Sequence, residues 1–226
     1  MDVLIIGAGA VGLNIAYYLR KGGADVTVID RSFGDGCSFG NMGLLVPSHL
    51  IPLAAPGAVM QGLKWMFNPE SPFYIKPRMS PDLFRWLWAF RGYCTEDHVK
   101  RSVPILRDLQ IASRDLTARL ARDEGLDCEY AQTGLLMLYH DEAERECVEL
   151  ERTARDAGMD AERVSEFEFE TTAKGGLLIR EDAQLHPGKF MRQLRDLLVK
   201  MGVTIHTNRE VTSIRDIPYK ELVLAA

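Results

Sequence analysis

Nothing in this sequence supplies a disulfide framework, a metal cluster or a membrane span. Its four cysteines (Cys37, Cys94, Cys128, Cys147) are scattered, with no CxxC pair and no histidine at ligand spacing. They read as reduced thiols of a cytoplasmic protein, and no metal is expected. Cys37 lies in a glycine-rich loop, where a small loop residue is the plainer reading. No apolar run approaches the roughly twenty residues that a bilayer-crossing helix needs. The apolar start does not read as a secretory signal: Asp2 stands where a basic region belongs, and the glycines lie in phosphate-loop register rather than at a cleavage site. Internal repeats and low-complexity tracts are absent. A net charge of −5 leaves no basic footprint, which argues against a nucleic-acid partner. No strained GxSxG elbow announces a nucleophilic serine, and no acid/base pair stands out.

What is present is concentrated at the start. At 226 residues the chain has room for one large domain or two small ones. Asp2-Val-Leu-Ile-Ile-Gly7 is a β-branched apolar run, followed at once by Gly7-Ala-Gly9-Ala-Val-Gly12. A helical pattern runs from Leu13 to about Lys21 and is broken by Gly22 and Gly23. A second apolar strand, Val26-Thr-Val-Ile29, ends on Asp30. Strand, glycine turn, helix, strand and acid together form a dinucleotide-binding fingerprint. Gly7 permits the tight turn, Gly9 lets the backbone approach a pyrophosphate, and Gly12 allows close helix packing. The free N–H groups and positive dipole end of the helix face the phosphates. Asp30, about twenty residues on, is placed to accept hydrogen bonds from an adenosine ribose. The predicted cofactor contacts here are Ile6, Gly7, Ala8, Gly9, Ala10, Val11, Gly12, Asp30 and Arg31. This stretch alone leaves NAD and FAD both open.

After Asp30 comes a long small-residue loop, with Ser38-Phe-Gly-Asn41-Met42-Gly43 at its end. An NAD site more often enters a helix directly after the acid, whereas such a loop suits a cofactor extending beyond its pyrophosphate. Ser38, Asn41, Met42 and Gly43 are therefore further predicted cofactor contacts. The fingerprint and this loop resemble the FAD-dependent D-amino-acid oxidase/glycine oxidase superfamily. The run through Pro47-Ser-His49, Pro52-Leu-Ala-Ala-Pro56-Gly57 and Leu63-Lys-Trp65-Met-Phe67 resembles the bacterial D-amino-acid dehydrogenases.

The resemblance implies an α/β fold: a Rossmann-like FAD-binding domain of glutathione-reductase-like topology, interleaved with an α+β substrate domain. Expected boundaries are 1–50 plus 188–226 for the FAD domain and 51–187 for the substrate domain. It implies FAD as cofactor, a D-amino acid or cyclic imino acid as substrate, and a quinone or other carrier as electron acceptor. It also implies a backbone contact from Val211 to the adenine, for which a plain core valine is the alternative. Family members are longer, and the apolar run 221–226 stops where they continue into a glycine turn. The chain is therefore expected to be C-terminally incomplete, with the substrate-carboxylate clamp outside it. A flavin-binding chain that depends on a partner chain is the non-catalytic alternative, and an NAD-dependent dehydrogenase the other.

Residues 63–93 hold all three tryptophans, Trp65, Trp86 and Trp88. The segment is apolar nearly all round, interrupted by Arg85 and Arg91. It reads either as a helix docking on the inner face of the cytoplasmic membrane or on a partner, or as a buried lid helix. A long helix is expected over 96–124, beginning or kinking at Pro104 and ended by Gly125. Thr133-Gly134 reads as the turn of a hairpin between 128–130 and 135–139. Further expectations are a helix over 142–157, a helical turn from Ser165, strands at 176–179, 203–206 and 211–214, and a helix over 188–201. His49 is the one weak catalytic residue predicted, able to orient substrate or flavin; a loop histidine is its plainer role. His186, before Pro187, reads as a loop or cap residue.

Overall fold

The computed structural model describes residues 2–65, 80–214 and 219–226. In chain order it begins β1 (Asp2–Ile6), α1 (Ala10–Lys21), β2 (Asp25–Ile29), α2 (Cys37–Gly40) and β3 (Leu44–Leu45). Next come α3 (Ala58–Trp65), α4 (Pro81–Tyr93), α5 (Glu96–Asp123) and β4 (Leu135–Tyr139). A 3-10 turn (Asp141–Ala143) leads into α6 (Glu144–Asp156), then β5 (Ala161–Val164), β6 (Gly175–Ile179) and β7 (Ala183–Gln184). The chain finishes with α7 (Pro187–Lys200), β8 (Thr204–His206) and β9 (Glu221–Leu224). None of the helices described is long and apolar enough to cross a membrane.

The chain divides into two compact units. One comprises Met1–Leu45, Leu116–Ala131 and Ala183–Ala226; the other comprises Val46–Asp115 and Gln132–Asp182. Leu116–Ala131 thus groups with the nucleotide-fingerprint unit and not with the substrate domain expected over 51–187. The reason is packing: Leu120, Ala121 and Cys128 are buried in the same core as β1 and α1.

That first unit is built on a parallel sheet of order β8-β2-β1-β9. Val3, Leu4 and Ile5 of β1 are essentially fully buried, the continuous apolar pattern of a parallel strand covered on both faces. α1 turns Leu13, Ala16 and Tyr17 inward, and α7 does so with Phe190, Met191, Leu194 and Leu198. Arg20 joins the two helix ends, donating from Nε to the Met201 carbonyl and from Nη1 to the Ala24 carbonyl. Tyr17 donates its hydroxyl to Glu124 Oε1 at 2.5 Å, tying α1 to the stretch after α5.

The second unit has the antiparallel sheet β4-β6-β5 and a core of Leu50, Ala154, Ala157, Met159, Ala161, Leu177 and Ile179. Several expectations fail here for identifiable reasons. The 128–130/135–139 hairpin does not form, because β4 pairs along its whole length with β6 and Ala131 bridges to Gln184. Gly134 is instead the bend into β4, at φ +81° and backed by the Ile179 carbonyl oxygen 2.8 Å from where a Cβ would sit. The long helix expected over 96–124 does form, as α5, but it starts at Glu96 and holds Pro104 inside it rather than beginning there. Thr95 sets that start: its Oγ1 accepts from the His98 N–H, and a cap of this kind fixes a helix end. The helical turn from Ser165 is absent. Its acids alternate with Phe167 and Phe169, a period of two, and the strand there is β5 just upstream.

In the first unit, 211–214 forms no strand; β8 ends at His206 and Asn208 turns the chain at φ +61°. β9 forms, but as an edge strand with Leu222 and Leu224 exposed and only Val223 packed on the core. α3 and α4 bury none of their residues. Trp88 is 74% exposed, so the buried-lid reading fails for the described part of 63–93. Residues 66–79 of that run, Met66 and Phe67 included, lie outside the described residues.

Candidate functional site

The turn between β1 and α1 is shaped by contacts that admit no side chain. Gly7 has φ +112°, and a Cβ on it would stand 2.5 Å from the Ala225 carbonyl oxygen. A Cβ on Gly12 would stand 1.9 Å from the carbonyl oxygen of Gly7. Gly9 differs: among the described residues the atom near its Cβ position is Ser38 Oγ, at 3.3 Å. Gly7 and Gly12 are therefore glycines for the turn's own packing, while Gly9 leaves the outer side of the turn open.

The start of α1 is lined with amides. Gly9 is its N-cap and offers no side chain. Ala10 N–H is taken by Ser38 Oγ at 3.0 Å, a cap supplied from the second glycine loop. The Val11 and Gly12 N–H groups belong to the first turn, where an α-helix offers no backbone partner. Among the described residues neither has another. Asp30 closes the other side of the turn. Its Oδ2 accepts from Ala8 N–H at 2.5 Å and its Oδ1 from Ser32 N–H at 2.9 Å. Its own N–H donates to the His206 carbonyl. A carboxylate has about four lone-pair sites, so two remain for a ligand.

The second glycine loop folds back on the same unit. Asn41 Oδ1 accepts from Gly43 N–H at 2.9 Å. Gly43, at φ +67°, lies against Leu185, whose carbonyl oxygen would be 2.0 Å from a Cβ there. Met42 is 82% exposed and Val11 64%. Arg31 is exposed, Ile6 ends β1 and is half-buried, and Val211 is half-buried outside any strand. Of the predicted contacts, the structure brings together Gly7–Gly12, Asp30 and Ser38 by direct hydrogen bonds or close approach. Among the described residues Arg31, Met42 and Val211 show no such link.

His186 caps α7, its Nδ1 accepting from Lys189 N–H at 3.3 Å. His49 is exposed and belongs to the second unit. Its Nδ1 lies 3.5 Å from Ser48 Oγ. Sequence reasoning missed the partner of that serine, Asp182, which accepts from Ser48 N–H and Oγ–H and is buried. Burial pushes the Asp182 carboxyl above the usual aspartate range, against the pull of its hydrogen bonds from Ser48. The two residues are 134 positions apart and neither stands in a recognisable motif, so no local signal could have paired them.

A parallel sheet, a glycine turn, an amide-lined helix start and an acid at the end of the second strand define a Rossmann-like dinucleotide-binding domain. Open first-turn amides beside a bare Gly9 fit a pyrophosphate. Residues 2–224 match the FAD dependent oxidoreductase (DAO) family, and the chain belongs to that family. Its dinucleotide is therefore FAD, which removes the NAD alternative.

The chain is similar to the D-amino acid dehydrogenase of Neisseria meningitidis, 31% identical over 227 residues covering 95% of this chain and 54% of that protein. It is 32% identical to the Methylobacterium nodulans D-amino acid dehydrogenase over 187 residues, covering 81% of this chain and 42% of that one. Glycine oxidase from Geobacillus kaustophilus shares the fold with a TM-score of 0.65 at 17% identity, over 100% of this chain and 55% of its own. The chain spans about half the length of the curated relatives it matches.

Proposed function

We propose that this chain carries the FAD-binding part of a D-amino-acid dehydrogenase, which oxidatively deaminates D-amino acids or a proline-type cyclic imino acid. The observation that carries the reading is the 31% identity to an enzyme of that name over 95% of the chain. The open amides of Val11 and Gly12, beside the bare Gly9, receive the pyrophosphate, with Ile6, Gly7, Ala8 and Ala10 shaping the turn around it. Asp30 accepts from the ribose, Arg31 flanks it, and Val211 contacts the adenine. Ser38, Asn41, Met42 and Gly43 follow the cofactor toward its flavin end. When bound, FAD supplies the hydride acceptor for the substrate Cα–H. His49 orients the substrate.

In this reading the electrons pass to a quinone or another carrier rather than to oxygen. The aromatics that α4 exposes on both of its sides, Phe84 and Trp88 on one and Trp86 and Tyr93 on the other, are the surface for peripheral contact with the membrane that holds a quinone. The test is the visible spectrum of the purified chain. A flavin band bleached anaerobically by D-alanine or D-proline and not by the L-isomers is the expected result. A purified chain without flavin, or one reduced only by L-amino acids, overturns the proposal.

A further inference from the structure

The second unit contains a polar chain that dinucleotide binding does not use. Ser48 and Asp182 are each 1% exposed. Ser48 N–H donates to Asp182 Oδ1 at 3.0 Å, and its hydroxyl donates to Oδ2 at 2.5 Å. One residue thus engages both oxygens of a buried carboxylate. The surrounding turn, 46–50, is held on each side. His49 N–H donates to the Val46 carbonyl, Leu50 N–H to the Ser48 carbonyl, and Gln110 Nε2 to the His49 carbonyl. Pro47, Ser48 and Leu50 are buried while His49 is exposed. A turn fixed by its neighbours therefore presents a single imidazole to solvent, with Nδ1 at the outer limit of hydrogen-bond distance from Ser48 Oγ, 3.5 Å.

The proton count along this chain has a consequence. A serine hydroxyl has one proton to donate. When Asp182 is ionised that proton is committed to Oδ2, so Ser48 Oγ turns a lone pair toward His49. Nδ1 must then supply the proton between them, and the tautomer of a histidine follows the hydrogen bond made by one of its nitrogens. The neutral side chain of a histidine in water prefers the opposite tautomer, with its proton on Nε2. We propose that Asp182, acting through Ser48, holds His49 with its proton on Nδ1 and presents a bare Nε2 as acceptor for a cationic amine.

On the dehydrogenase reading above, on which this last assignment rests, the amine is the ammonium group of the amino-acid substrate. One N–H bond of the ammonium breaks and an Nε2–H bond forms, the electron pair staying on the substrate nitrogen. The product is the neutral amine that hydride loss from Cα requires. Ser48 and Asp182 are positioning residues in this scheme, and His49 is the group that meets substrate.

The charged groups around Asp182 lie on several elements. Glu181 adjoins it, and its carbonyl accepts from Arg114 of α5, which also pairs with Asp115. Asp160 donates its N–H to Glu181 Oε1 and pairs with Arg180; His49 faces Asp182 from the turn. When Asp182 takes up a proton in acid, its own O–H donates to Ser48 Oγ. The serine proton is then released from the carboxylate.

Nitrogen-15 NMR of the full chain with labelled histidine tests this, the H49Q variant assigning one of the five histidines. At neutral pH the wild type is expected to show a protonated Nδ1 and an unprotonated Nε2 at His49. S48A removes the acceptor, and D182N points an amide NH2 at Ser48 Oγ; both are expected to move the proton to Nε2. S48T keeps the hydroxyl and is expected to retain the wild-type tautomer. A wild type with its proton on Nε2 overturns the proposal even if variants fail to fold, as does one tautomer shared by wild type, S48A and D182N. In the FAD-loaded enzyme, H49Q is expected to lower kcat/KM for a D-amino acid about a hundredfold near neutral pH. If D-amino acids are not oxidised at all while the tautomer result holds, the dehydrogenase reading and the amine assignment fall, and the Asp182–Ser48–His49 arrangement stands.

Discussion

Gly12 sits so close to the Gly7 carbonyl that a methyl group on it would lie 1.9 Å from that oxygen. Backbone cannot yield as a flexible side chain can, so G12A forces the turn or α1 to move. A cost of about 3 kcal/mol or more is expected. At Gly9 the nearest atom is a serine hydroxyl at 3.3 Å, and the fold should accept G9A with little loss. Its methyl group instead stands where the pyrophosphate is proposed to lie, and an FAD affinity lower by about tenfold, roughly 1.4 kcal/mol, is expected. Urea unfolding and flavin titration of both variants check this. Equal loss of stability in the two would refute the division of labour between the glycines.

Ser38 Oγ accepts the Ala10 N–H that Gly9, as N-cap, cannot. S38A should cost about 1 kcal/mol, as the loss of a serine cap does. The penalty is expected to shrink at saturating FAD, since an anion at the helix start satisfies the same amides. Denaturation midpoints with and without FAD are the measurement; an undiminished penalty would argue that the amide is not part of the phosphate site.

Asp30 accepts from two amides, Ala8 and Ser32, one on each oxygen. An asparagine offers one acceptor and sets an NH2 against the other N–H. D30N is therefore expected to destabilise by about 1–3 kcal/mol and to purify with less flavin. A D30N protein of wild-type stability would show that these two hydrogen bonds contribute little.

The direction of the Asp182 shift predicts a pH dependence of stability. Burial raises its pKa above that of the unfolded chain, near the ordinary aspartate value of about 3.9. Between the two values the native state holds the proton and the unfolded chain does not. Stability from this group is thus full below the ordinary value and falls as pH rises through the raised one. Urea midpoints at closely spaced pH values should show this decline in the wild type and not in D182N. The same slope in both would locate its origin elsewhere.

The nucleotide end was legible because its chemistry is local. A β-branched run, glycine spacing, a helix broken at Gly22 and Gly23, and an acid at Asp30 all act within thirty residues of one another. The cap role of His186 beside Pro187 was legible for the same reason. What failed depended on distant partners. Thr133-Gly134 carries turn residues, yet β4 found β6 rather than the preceding segment. The apolar 221–226 run carries the pattern of a covered strand, but β9 lies at a sheet edge with Leu222 and Leu224 uncovered. The Ser48–Asp182 pair has no sequence signal, since a serine and an aspartate become a site only when a fold buries them together.

The placement of β9 beside β1 dictates an order of assembly during synthesis. β1 meets β2 almost as soon as both exist, but its other edge waits for a strand in which Glu221 lies opposite Val3. The whole second unit is translated in that interval. Closing so long a loop adds only a logarithmic entropy cost, so the penalty is one of time rather than of final stability. A nascent chain therefore carries an open, apolar edge on β1 until residues 221–224 emerge, the exposure that chaperones act on. Ala225 also walls in Gly7, so the turn after β1 takes its final shape only once Ala225 has been made.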